Sequence, residues 1–117
     1  TGDFLFDPDK TKKFSRDRHH LYDMVCVMGP LPKELIDKSK KKNIFYKNNY
    51  LLKCIDYIDY EPLYVKLCEK LKGRSDISTD DLYLTLDLLY KLLNYDPFKR
   101  LSPQSCLTHE WFKNVKI

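Results

Sequence analysis

The stretch Asn94-Tyr95-Asp96-Pro97-Phe98-Lys99-Arg100 decides the reading of this sequence, together with Ser102-Pro103 and His109-Glu110-Trp111-Phe112 that follow it. Asp96-Pro97 is a helix stop, because proline lacks an N–H and disfavours the helical conformation at the residue before it. It ends a long leucine-rich segment abruptly and aims Arg100 back towards the body of the fold. Ser102-Pro103 is a start signal, an N-cap followed by proline at the first helical position. Glu110, Trp111 and Phe112 then form a last aromatic turn.

Upstream of the stop, Ser78 or Thr79 caps a helix that runs to about Asn94, with Asp80 and Asp81 in its first turn. Leu82, Leu86, Leu89 and Leu93 make one stripe, and Leu84, Leu88 and Leu92 make another beside it. Apolar residues over so much of the circumference predict a central, buried element. The alternation Leu82, Leu84, Leu86, Leu88 also fits a strand, but leucine is a strong helix former and the caps and length favour helix. Before it, Glu61-Pro62 opens a helix with proline at the first position, Leu63, Leu67 and Leu71 inward, and Gly73 at its end.

Further upstream, Ser15 caps a helix over 16–28, with Asp17 in its first turn and Leu21, Met24, Val25 and Met28 on one stripe. Gly29-Pro30 ends it. A short helix spans Pro32 to Ser39. Residues 43–60 show no sustained period and read as a long, partly packed loop. Residues 1–14 are irregular. The fold class is therefore all-α, five or six helices with long connections.

Composition agrees. Hydrophobic residues are 43% and charged residues 32% of the 117, which excludes a disordered tail, and the 3 glycines argue against a turn-rich β fold. The net charge of +4 does not imply nucleic acid. No apolar run approaches the ~18 residues of a membrane span, so no membrane contact is expected. Cys26, Cys54, Cys68 and Cys106 form no C-x-x-C pair, so no zinc site is expected and reduced intracellular thiols are.

No catalytic constellation stands in the chain: there is no glycine-rich phosphate loop, H-E-x-x-H or G-x-S-x-G. His19 and His20 are adjacent on a helix, about 100° apart, and do not chelate one metal from one face. The run Lys38 to Lys42 reads as a solvated face, with phosphate binding or nuclear import as its functional alternatives. Asp80-Asp81 is explained by the helix N-terminus.

A D-P-x-x-R after a long apolar helix, followed by H-x-W-F, resembles the end of the C-terminal lobe of protein kinases. In that family the arginine, here Arg100, pairs with the glutamate of an A-P-E motif, which this sequence lacks. Asp96, Arg100 and Trp111 are thus implied structural residues. The front half, T-G-D-F-L-F-D-P-D, S-R-D-R-H-H-L-Y and G-P-L-P-K-E-L-I, is similar to the SR-protein kinases, and the match extends over the chain. It implies that 16–28 is helix G, 30–60 the insert between G and H, 79–94 helix H and 103–113 helix I. Residues 1–117 are then the C-terminal portion of a kinase domain, without the N-lobe, catalytic loop or activation segment.

The resemblance implies a serine/threonine kinase that phosphorylates Arg-Ser-rich splicing factors, resident in cytoplasm or nucleus. ATP and magnesium are expected for the whole kinase and none for this chain, which carries no catalytic residue. Substrate docking is what the resemblance carries over. Two acidic groove positions of the family are here His19 and Cys26, Lys70 matches a third groove position, and Asp17 and Asp23 supply carboxylates nearby. Expected partners are the rest of the kinase domain and Arg-Ser-rich proteins, with self-association of the isolated chain through the leucine stripes of 79–94. CLK-type kinases are the runner-up: their G-P-L-P matches Gly29 to Pro32, whereas their L-A-M-M-E-R is here Leu21 to Cys26. A non-catalytic kinase-like docking module is the third reading.

Overall fold

A computed structural model of the protein describes residues 2–113. They form seven helices and a single isolated antiparallel bridge, between Tyr46 and Leu52. The all-α expectation holds. The chain divides into two compact units at Val65/Lys66.

In the first unit, α1 (Arg16–Met28) starts where Ser15 Oγ accepts the Arg18 N–H at 3.2 Å. It ends where Gly29, at φ 84°, donates its N–H to Val25 O at 2.9 Å. Positive φ is the conformation glycine adopts without a Cβ clash. After Pro30 come α2 (Lys33–Lys38) and the single turn α3 (Lys42–Phe45). Val25, Ile36, Tyr46 and Leu52 form the core, with Leu21, Leu31, Phe45 and Ile55 packed against it. Burying each such aliphatic side chain contributes about 1.5–3 kcal/mol.

The stretch 43–60 is more ordered than the long loop expected. Lys47 N donates to Leu51 O and Lys53 N to Phe45 O, both at 2.8 Å, so 45–53 closes as a small hairpin. Tyr50 at its turn and Cys54 beyond it take positive φ. Local hydrogen bonds hold this shape with no hydrophobic period to announce it. Leu52 points inward at 4% exposure while Leu51 stays 56% exposed, the alternation a strand demands.

In the second unit, α5 (Thr79–Leu92) is capped by Ser78, whose Oγ accepts the Asp81 N–H at 3.0 Å. Helix α4 (Leu63–Lys70), which crosses the boundary between the units, begins at Leu63, one residue later than expected. Helix α5 closes at Leu92 rather than Asn94, because Asn94 turns its side chain to accept the Asp96 N–H at 3.0 Å. The single expected helix 103–113 is two: α6 (Pro103–Cys106) and α7 (Glu110–Lys113), separated by Leu107–His109. Of the α5 leucines only Leu86 and Leu88 are fully buried; the others are half-buried and Tyr83 is 62% exposed. Leu86 and Leu88 lie about 200° apart, so burial reaches two faces of α5 but does not enclose it.

Helix α7 folds back on α5. Trp111 Nε1 donates to Thr85 Oγ1 at 2.9 Å, and His109 Nε2 meets Asp87 Oδ2 at 2.8 Å. Because His109 Nδ1 accepts the Trp111 N–H at 3.1 Å, its proton sits on Nε2 and is donated to Asp87. Lys91 Nζ reaches the same carboxylate at 2.6 Å. Lys91 and His109 together hold the Asp87 carboxyl below its usual range.

Candidate functional site

The residues implied in docking lie mostly on α1, and helix geometry separates them. Asp17 and His19 are two residues apart, hence about 200° apart around the axis. His19, Asp23 and Cys26 follow i, i+4, i+7 and share one face; Asp17 shares the opposite one with His20, Leu21 and Met24. The structure follows this division.

On the first face, His19 Nε2 lies 3.4 Å from Asp23 Oδ1, and His19 Nδ1 is 2.9 Å from both the N and the O of Asp9. The imidazole thus ties α1 to the segment before it and orients the Asp23 carboxylate. Cys26 is 8% exposed. Burial pushes its thiol pKa up, against the smaller opposing effect of a hydrogen bond from Tyr22. The Tyr22 hydroxyl oxygen also accepts the Asp59 N–H at 3.5 Å, and Cys26 O accepts the Glu61 N–H at 3.0 Å. Cys26 therefore anchors the chain around Asp59 to α1 and presents no charge to a peptide.

On the opposite face, Asp17, His20, Leu21 and Met24 line an open cleft of about 350 Å³ completed by α2 and the lysine run. Its floor is apolar, with Leu31, Leu35, Ile36 and Phe45; Lys40 and Lys41 stand on its rim. The lysine run is thus adjacent to Asp17, and the rim carries more positive than negative charge. An arginine-rich peptide is repelled here. Lys42 is engaged within the insert: it pairs with Asp37 and lies 4.8 Å from the Tyr50 ring centre.

Lys70 is exposed at the end of α4, in the second unit. Asp96 organises the turn after α5: its Oδ1 accepts the Phe98 N–H at 2.9 Å and its carbonyl the Arg100 N–H at 2.8 Å. Arg100 is exposed and donates Nε to Asn94 O at 2.9 Å and Nη2 to Tyr95 O at 3.4 Å. These carbonyls lie just beyond the end of α5, where a cation suits the negative end of the helix dipole. Trp111 seats α7 on α5, as described.

Arg18 was not singled out by sequence reasoning. Its Nη2 donates to Ile44 O at 3.0 Å, its Nη1 approaches Cys54 Sγ at 3.7 Å, and its guanidinium lies 5.9 Å from the Phe45 ring centre. It ties α1 to the insert. A half-buried arginine among polar neighbours leaves no periodic signal.

Among the described residues no three His, Cys, Asp or Glu side chains converge on a point. The sequence likewise holds no glycine-rich loop to cradle the phosphates of ATP. No described helix is long and apolar enough to cross a membrane.

No family model matches the chain. Among curated proteins, the serine/threonine-protein kinase SKY1 of Saccharomyces cerevisiae is 32% identical over 115 residues, 98% of this chain and 15% of that protein. SRSF protein kinase 3 of Mus musculus is 29% identical over 111 residues, 95% of this chain and 19% of its own length. The dual specificity protein kinase CLK1 of Mus musculus is 32% identical over 102 residues, 85% of this chain and 20% of its own length. The chain spans about a fifth or less of the curated relatives it matches.

Proposed function

We propose, for a chain whose similarity to the SR-protein kinases runs nearly its whole length, that it is the helical end of a serine/threonine kinase domain acting on Arg-Ser-rich proteins. The observation that carries this is the 32% identity with SKY1 over 98% of the chain, a span that takes in the Asp96-Pro97…Arg100 stop and the Trp111 turn. ATP and magnesium are held by residues outside this chain. Its own residues serve the reaction by shape. Helices α5 and α7 buttress the lobe, and the rest of the kinase domain covers the half-buried leucines of α5. Separated from that domain, the chain self-associates through α5. Sizing with an apolar dye tests this: a stable monomer that binds no dye contradicts it.

Docking of the Arg-rich substrate is assigned to the His19–Asp23 face of α1, which carries the Asp23 carboxylate. Asp17, beside Lys40 and Lys41, takes no part. The test is phosphotransfer: the complete protein, given ATP, magnesium and an Arg-Ser repeat peptide, places phosphate on serine. No transfer to that peptide, with transfer to another protein substrate, removes the SR assignment.

A CLK-type parent is the second reading, favoured by Gly29-Pro30-Leu31-Pro32 and by the CLK1 match; the Leu21 to Cys26 stretch speaks against it. A non-catalytic docking module would show peptide binding without transfer.

A further inference from the structure

Charge is segregated along the insert. Residues 33–53 carry Lys33, Lys38, Lys40, Lys41, Lys42, Lys47 and Lys53 against only Glu34 and Asp37. Residues 54–62 carry Asp56, Asp59 and Glu61 and no cation. The first stretch supplies the cleft beside α1, with its apolar floor and with Lys40 and Lys41 on its rim. Asp17 is the single carboxylate among the lining residues. Tyr46, at the cleft wall, is 7% exposed, and its hydroxyl has no hydrogen-bond partner among the described residues. The cleft thus combines apolar area, surplus positive charge and an unpaired hydroxyl, and it suits an acidic segment with a large apolar side chain.

The same chain displays such a segment. Residues 54–62 have no regular secondary structure. Tyr57 is 77% exposed and Tyr60 53% exposed, and each follows an aspartate in sequence. Asp56 and Asp59 make no ion pair among the described residues. Two neighbouring tyrosines standing in water beside unpaired carboxylates form an amphipathic strip, with large rings that bury much area at little entropic cost.

We propose that the cleft between α1 and α2 receives the Asp56–Tyr60 strip of a second copy of this chain. A tyrosine ring enters the apolar floor, and Asp56 and Asp59 meet Lys40 and Lys41 on the rim. Reciprocal exchange fills both clefts at once and closes a two-fold dimer. This surface is separate from the leucines of α5 and does not rest on the kinase reading.

Sedimentation of the chain over a range of concentrations tests the proposal. The wild-type chain shows a dimerisation step that weakens as salt is raised, distinct from the salt-insensitive association through the leucines of α5. Lys40→Glu/Lys41→Glu weakens it at least tenfold, and so does Asp56→Lys/Asp59→Lys. The chain bearing all four changes regains association to within about threefold, since the charges are exchanged rather than lost. All four side chains are exposed, so helical circular dichroism stays unchanged. Association indifferent to charge reversal would assign it to the apolar surface of α5 and overturn the proposal. A monomer at every concentration, or no recovery in the four-fold variant, overturns it as well.

Discussion

Asp87 accepts from His109 and Lys91 at once, and these partners depress its carboxyl pKa in the folded state. A depressed carboxyl contributes stability above its unfolded value of about 3.9 and loses it as pH falls through the folded value. The side chain is 51% exposed, so screening keeps the contribution small. Asp87→Asn is expected to cost up to about 1 kcal/mol at pH 7 and nothing measurable near pH 2, as read by urea titration at the two pH values. An equal loss at both would place the effect in packing. Cysteine reactivity follows exposure in the same way. Cys54 is exposed and Cys26 is buried, with its thiol pKa raised by that burial. Iodoacetamide is therefore expected to label Cys54 first and Cys26 last, by mass spectrometry of the digested chain. Asp23 is oriented by His19. Asp23→Asn in the complete protein should raise KM for an Arg-Ser peptide roughly fivefold, about 1 kcal/mol, with kcat unchanged.

Helix starts were the most legible feature of the sequence, because a cap is a local contract between one hydroxyl and one backbone N–H. Ser15, Ser78 and Ser102 each accept the N–H three residues on. Ser78→Ala should cost about 1 kcal/mol in urea unfolding, and Ser78→Asp should restore most of it. Helix ends were less legible. Helix α5 closes two residues early because the Asn94 side chain serves the Asp96 turn, a choice that periodicity does not register. Helix I breaks at Leu107–His109 because His109 is committed to Asp87 and to the Trp111 N–H. The hairpin over 45–53 was hidden because the positive-φ residues at its turn and just beyond it, Tyr50 and Cys54, are not the glycine or asparagine that usually marks positive φ. For the candidate site, the 100° step of α1 already separated Asp17 from His19. Only the packing revealed that Cys26 is buried and that Lys40 and Lys41 border Asp17.

At the scale of the molecule, the role proposed for the chain is that of a scaffold. Leu86 and Leu88 bury two faces of α5 while its other leucines remain half-buried, the pattern of a helix shared with a further partner. Among the described residues no three His, Cys, Asp or Glu side chains converge, and the chain covers 15% of SKY1. On the proposed reading, phosphate transfer belongs to residues outside this chain. The most direct measurement is to sequence the parent transcript. The account predicts an open frame carrying a glycine-rich loop, H-R-D, D-F-G and an A-P-E whose glutamate serves Arg100. A transcript with no H-R-D or D-F-G in frame would contradict it.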